Sequence, residues 1–304
     1  MQLSRDFIWI AKALATAALA LTLCAFASRY DRTLPLPTTM TVGGNFEQAL
    51  DRYAKDPDAQ IVLIGSSYTV RLREEFFAHR GLQNLAVGGG SILTGLQIVA
   101  SYPRLPPLIL VEANVLSRSA NLELVQKYSN NSSGMRTALA RPIRLAAAHY
   151  QAWLSRPRND DPERARISAL LREPPANYSN AATVERQLQA DNKDFFLEES
   201  RNHAAELSAI VKLLGDRGSR VYFYQLPYQG ELNNARYAEV SRDVMQQSFP
   251  EPERWLDLEY PAEQLRWADG IHLDERSAAL VAQSMDRAID GLTPHDSSSP
   301  GLSR

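Results

Sequence analysis

The sequence predicts an α/β protein built on a parallel β-sheet, and three observations carry that prediction. Ile61-Val62-Leu63-Ile64, Leu82-Gln83-Asn84-Leu85-Ala86-Val87 and Leu108-Ile109-Leu110-Val111 are short, largely apolar runs, as expected of strands covered on both faces. The stretches between them read as helical: Arg71 to Phe77 after the first run, and a helix through Leu96, Ile98 and Val99 after the second. Strand–helix alternation at this spacing specifies parallel strands joined by right-handed crossovers. Each run also ends in turn chemistry, at Gly65, at Gly88-Gly89-Gly90 and at Asn114. Those ends form the carboxyl edge of the sheet, where open α/β sheets bind ligands.

Taken in order, the chain opens with an apolar stretch from Phe7 to Ala27, interrupted by Lys12 and two threonines. It is about long enough for a membrane-spanning helix. Within residues 1–28 the expectation is a signal anchor or transmembrane helix. The rivals are a cleaved signal peptide, with Ala25-Phe26-Ala27 as its small-x-small site, and a buried soluble helix. Residues 29–56 read as a linker with Pro35, Pro37 and Gly43-Gly44, followed by a short helix from Phe46 to Tyr53. The main domain is expected over 57–292. Beyond Asn114 the strand pattern stops, and about 120–198 reads as a helical insertion, with helical stretches near Met135 to Leu154 and Ile167 to Leu171. A helix from Glu199 to Leu214 leads into a fourth strand, Arg220 to Leu226, with Arg254 to Leu258 a candidate fifth. Asp269 to Asp274 is a turn, and Asp274 caps a final helix, Glu275 through Ile289. The tail, 293–304, reads as disordered.

Composition removes several classes of function. Over 304 residues the formal net charge is -2, so no basic footprint for nucleic acid is present. The single cysteine, Cys24, excludes a disulfide within the chain and a cysteine-based metal site. The five histidines are scattered, with no pair at metal-ligand spacing, so no structural or catalytic zinc site is expected.

Candidate chemistry gathers at the strand ends. Ser66 and Ser67 follow the first strand; either caps a helix or serves as a nucleophile. A serine hydroxyl needs a base to take its proton and a carboxylate to orient that base. Asp269 and His272 supply such a pair within one turn, although two polar residues in an exposed loop read the same way. The backbone at Gly88-Gly89-Gly90 allows close approach of an oxyanion. A plain strand-to-helix turn is the alternative, and a dinucleotide fingerprint fails because Leu93 stands where its third glycine belongs. Asn114 offers a side-chain amide donor or an Asx-turn.

These blocks, in this order, resemble the SGNH (GDSL-type) hydrolase family. The first is Ile64-Gly65-Ser66-Ser67, the second Asn84-Leu85-Ala86-Val87-Gly88-Gly89, the third Val111-Glu112-Ala113-Asn114, and the last Asp269-x-x-His272-Leu273. The resemblance covers about Ile61 to Ile289 and leaves out the N-terminal segment and the insertion. Two positions depart from it. Ser66 stands where the family has aspartate, and Glu112-Ala113-Asn114-Val115 replaces Gly-x-Asn-Asp, putting a carboxylate beside the oxyanion site. The resemblance implies a flavodoxin-like three-layer α/β/α sandwich and a Ser-His-Asp acyl-enzyme mechanism. Ser67 is then the nucleophile, His272 the base and Asp269 its orienting carboxylate. The N–H groups of Ser67 and Gly89 and the amide of Asn114 form the oxyanion site, and no cofactor takes part.

The divergent blocks are similar to those of exported members that add or remove O-acyl groups on cell-envelope polysaccharide. That similarity implies an acylated carbohydrate or other ester substrate. It also implies a domain outside the cytoplasm, held at the inner membrane by the N-terminal helix or secreted after cleavage. A membrane acyltransferase or a polysaccharide-assembly protein is the partner it invites. Two other functions are open: a non-catalytic envelope protein that keeps the fold and binds a glycan or an assembly partner, and a lipid-directed esterase.

Overall fold

The computed structural model describes residues 9–19, 22, 45–55, 57–79, 81–129, 162–193 and 196–292. The chain divides into two units, Met1–Thr41 with Ser133–Pro162, and Val42–Ser132 with Glu163–Arg304. In the first unit residues 9–19 are helical with exposed side chains. Among the described residues no helix is long and apolar enough to cross a membrane. The Phe7–Ala27 stretch extends outside those residues, as do the linker before Asn45, the expected helix from Met135 to Leu154 and the tail.

The second unit is built on four parallel strands, β1 (Ile61–Ile64), β2 (Leu82–Asn84), β3 (Leu108–Glu112) and β4 (Arg220–Tyr224), in the order β2-β1-β3-β4. Alternate side chains leave the sheet on opposite faces, as the strand repeat requires. Val62, Ile64, Ile109, Val111, Val221 and Phe223 enter one core. That core is completed by α1 (Asn45–Lys55), α3 (Ile92–Ala100), α7 (Leu197–Asp216) and α8 (Arg236–Ser248). Ile61, Leu63, Leu108, Leu110 and Tyr224 enter the other, against α5 (Pro162–Arg172) and α9 (Glu275–Leu292). Covering both faces explains why the strands read as unbroken apolar runs rather than alternating ones. The chain leaves β1 toward β2 on one side, and β3 and β4 lie on the other. The carboxyl ends of β1 and β3 therefore flank the crevice where strand order reverses.

Four sequence expectations are corrected. The segment Arg71 to Phe77 is not one helix: α2 is the four-residue turn Ser67–Val70, followed by a 3-10 turn at Glu74–Phe76. Arg73 is extended (φ -67°, ψ 143°) and breaks the run, while Asn84 Nδ2 binds the carbonyls of Thr69 and Leu72 at 2.8 and 2.7 Å. The second strand ends at Asn84 rather than Val87, although Leu85 and Val87 still donate to Leu63 and Gly65 at 2.9 and 3.0 Å. The fourth ends at Tyr224, because Leu226 turns to pair with the Asn114 side chain. The candidate fifth strand contracts to one parallel bridge, Phe223 to Trp255, since a 3-10 turn at Pro252–Arg254 occupies its start.

The insertion contains α4 (Leu122–Tyr128), α5 and α6 (Ala181–Lys193), with no strand among its described residues. At its other end the domain closes as the sequence indicates. Asp274 Oδ1 accepts the Ser277 N–H at 2.8 Å, capping α9.

Candidate active site

Residues distant in sequence meet at the carboxyl end of β1. Ser67 opens α2, and its hydroxyl oxygen lies 2.9 Å from His272 Nε2. His272 Nδ1 lies 2.8 Å from Asp269 Oδ2. The turn holding this pair is closed by an antiparallel bridge from Trp267 to Leu273 and by the Ala268 N–H bonding to the His272 carbonyl at 3.0 Å. Inside it, Asp269 Oδ1 accepts the N–H groups of Ile271 and His272 at 3.0 and 2.7 Å. One carboxylate oxygen thus shapes the turn and the other faces the imidazole. Residues Asp269 and His272 point the same way because both ends of that carboxylate are in use.

The electrostatics set the direction of the hydrogen-bond chain. Partial burial pushes the Asp269 carboxyl up, but the hydrogen bonds from the His272 backbone, its ring and the Ile271 backbone outweigh it and pull the pKa down to about 2. Asp269 is therefore an anion near neutrality, and an anion only accepts. The His272 proton then sits on Nδ1, and the Nε2 lone pair faces the Ser67 hydroxyl. Arg71 lies 3.6 Å from Asp269 Oδ2 on the solvent side. The Tyr68 ring stands 5.5 Å from the His272 ring and walls one side of the imidazole.

The oxyanion candidates divide into two kinds. Val87 N–H bonded to Gly65 O brings the glycine turn beside the turn that carries Ser67. Gly89 is exposed, with φ +72° and nothing within 4 Å of where a Cβ would stand, so its backbone opens to solvent in a conformation glycine tolerates best. Among the described residues, the N–H groups of Ser67 and Gly89 have no intramolecular acceptor. Asn114 is different. It is fully buried, its Nδ2 donates to Leu226 O at 2.9 Å, and its Oδ1 accepts Leu226 N–H at 2.8 Å. This reciprocal pair ties the residue just after β3 to the segment after β4.

Ser66, the alternative nucleophile, is turned away from His272. It is fully buried, caps α2 by accepting the Tyr68 N–H at 3.3 Å, and donates its hydroxyl to Glu112 Oε1 at 2.7 Å. Glu112, the carboxylate expected beside the oxyanion site, lies against the turn that carries Ser67, bonded to Ser66 and Thr69. Three further residues shape the site with no mark in the sequence: Thr69, Asn84 and Tyr224. A charged residue ending an apolar strand was the one available signal, at Glu112. The others act on partners far along the chain, for which local pattern has no signature.

The same packing explains Gly65. A Cβ there would stand 2.1 Å from Thr69 Oγ1 and 2.7 Å from Glu112 Oε2. Neither atom can retreat without breaking its hydrogen bonds. Gly65→Ala is expected to lower Tm by several degrees and to cost about 2 kcal/mol or more through overpacking, as read by thermal and denaturant unfolding. A variant with unchanged Tm would contradict this packing.

A cleft of about 760 Å³ adjoins the turn that holds Asp269 and His272. It is lined by Asn177, Tyr178 and Glu185 of the insertion, Gln229 after β4, and Trp267 and Gly270 of the turn. It borders the site through Gly270 and is not lined by Ser67 or His272. Among the described residues no group of three or more histidine, cysteine or acidic side chains is arranged to hold a metal ion. No protein-family model matches this chain, and no curated protein matches it.

Proposed function

We propose that this chain is a serine esterase or O-acyltransferase of the SGNH type, built on a flavodoxin-like three-layer sandwich. The observation that carries the reading is the continuous chain from Ser67 Oγ through His272 to Asp269, at 2.9 and 2.8 Å. Three residue types in that order and at those distances match the requirements of an activated serine.

In the proposed reaction Ser67 Oγ attacks the ester carbonyl as His272 Nε2 takes its proton. Asp269 stabilises the imidazolium and keeps its Nδ1–H in place. In this reading the N–H groups of Ser67 and Gly89 receive the oxyanion, and the Asn114 amide is the third donor. Collapse of the tetrahedral intermediate breaks the ester C–O bond, and His272 returns the proton to the leaving alcohol. Water or a sugar hydroxyl then attacks the acyl-enzyme with His272 again as base, and Ser67 is released.

The substrate class we infer is an O-acylated, chiefly O-acetylated, polysaccharide of the cell envelope. The large cleft, lined by Trp267, Tyr178 and amide side chains, supports a carbohydrate of more than one residue. We place the catalytic domain outside the cytoplasm, with the N-terminal segment as membrane anchor and a membrane acyltransferase or polysaccharide-assembly protein as partner. The test is labelling of the full chain by a serine-reactive fluorophosphonate, with peptide mapping, beside acetate release from p-nitrophenyl acetate and acetylated glycans. Stoichiometric adduct on Ser67 is expected. Hydrolysis that persists in both Ser67→Ala and His272→Ala would sink the assignment.

A further inference from the structure

We propose that Glu112 is the positioning residue of the nucleophile: a carboxylate on β3, outside the Ser-His-Asp chain, that fixes the turn carrying Ser67 by hydrogen-bonding both sides of it. The proposal rests on the reading of Ser67 as nucleophile. Glu112 is fully buried. Its Oε2 accepts the Ser66 N–H at 2.8 Å, the Thr69 N–H at 3.2 Å and the Thr69 hydroxyl at 2.6 Å. Its Oε1 accepts the Ser66 hydroxyl at 2.7 Å. Every donor comes from the turn that presents Ser67, and Ser67 itself makes none of these bonds. Its N–H and hydroxyl are left for the oxyanion and for His272.

The chemistry favours a carboxylate over its substitutes. Both oxygens only accept when ionised, so all four donors are met at once; a glutamine amide would turn a donor toward one of them. The Thr69 hydroxyl, having given its hydrogen to Glu112, accepts from the Tyr224 hydroxyl at 2.7 Å. The network thus runs from the nucleophile turn into β4. Glu112 pairs with Tyr224 across the sheet, and β3 is hydrogen-bonded by β1 on one side and β4 on the other. The turn is therefore anchored to the middle of the sheet.

A buried carboxylate without a cation is unfavourable for the fold, even when hydrogen-bonded. Among the described residues no arginine, lysine or histidine bonds to Glu112, and burial pushes its carboxyl up, with the Thr69 and Ser66 hydrogen bonds holding it partly back. The two departures from the SGNH pattern also become one exchange: Ser66 occupies the aspartate's position, and the carboxylate that binds it comes from position 112.

The experiment compares full-length wild type with Glu112→Ala, Glu112→Gln and Thr69→Val, each assayed well below its own Tm. For each, kcat and KM for p-nitrophenyl acetate and the rate constant of fluorophosphonate labelling at Ser67 are measured. In folded Glu112→Ala, kcat and labelling rate are expected to fall about 100-fold with little change in KM, the cost of misplacing a reacting atom. In Glu112→Gln, which reverses one contact, and Thr69→Val, which removes the hydroxyl's bonds to Glu112 and Tyr224, the fall is about tenfold. Folded Glu112→Ala that labels at the wild-type rate would overturn the proposal. If that variant does not fold, Glu112→Gln and Thr69→Val decide: wild-type labelling in both overturns it, and slowed labelling with KM unchanged supports it. Wild-type protein that neither labels nor hydrolyses ester would instead remove the esterase reading.

Discussion

Replacing Ser67 with alanine is expected to lower kcat for ester hydrolysis by about 10⁴-fold or more while leaving Tm close to wild type. The hydroxyl is the proposed attacking group, and no neighbour takes its place. Ser66 is one residue away, yet its oxygen is buried against Glu112 and Tyr68 N–H, facing away from His272. His272→Ala is expected to cost a similar factor, because an unassisted serine is a poor nucleophile. The double variant is expected to be no worse than either single one, since the two residues act as a unit. Steady-state kinetics with p-nitrophenyl acetate and thermal melts check all three. A Ser67→Ala protein with a tenth of wild-type activity would point to another nucleophile.

The second large effect is expected at Asp269. Asp269→Asn preserves shape but reverses one hydrogen bond. The Asn oxygen keeps the two backbone N–H groups, and its NH2 then faces His272 Nδ1. That face can only donate, so the imidazole must leave Nδ1 bare and place its proton on Nε2, toward Ser67. A protonated Nε2 cannot take the Ser67 proton, and kcat is expected to fall by about 10⁴-fold. Labelling by fluorophosphonate should slow in parallel; labelling at the wild-type rate would remove Asp269 from the mechanism.

The pH behaviour of the same carboxylate follows from its pKa of about 2 in the fold. An acid whose folded pKa is depressed stabilises the fold when ionised. That contribution is complete above the ordinary aspartate value near about 4 and is lost as pH falls toward the folded value. Tm of wild type is therefore expected to drop between pH 4 and pH 2 more steeply than Tm of Asp269→Asn. Parallel Tm profiles for the two proteins would contradict the assignment of the Asp269 hydrogen bonds.

The parallel sheet was legible because its strands are covered on both faces. Ile61-Val62-Leu63-Ile64 and Leu108-Ile109-Leu110-Val111 carry no polar residue to place on a solvent side. The Asp269–His272 pair was legible because its geometry is local: two residues in one turn, held by the turn's own amides. The helix expected at Arg71 to Phe77 was not found because its competitor lies elsewhere. Asn84, on the next strand, takes the carbonyls of Thr69 and Leu72 that would have continued the helix. The fifth strand contracted for a local reason instead: the 3-10 turn at Pro252–Arg254 takes its start and leaves one bridge to Phe223.

What the sequence by itself determined about this protein is what short-range forces specify: buried strands, the glycine turns at their ends, the cap at Asp274 and a short-range Asp–His pair. The resemblance already pointed to Ser67 over Ser66; tertiary structure supplied the physical reason for the difference and what holds Ser67 there. Ser66 and Ser67 are identical in chemistry and adjacent in the chain. They differ because Glu112, brought alongside by the β1–β3 ladder, captures one hydroxyl and leaves the other 2.9 Å from His272. Hydrogen bonds between residues 46 and 205 positions apart leave no periodicity in a sequence; they exist only once the sheet has aligned their strands.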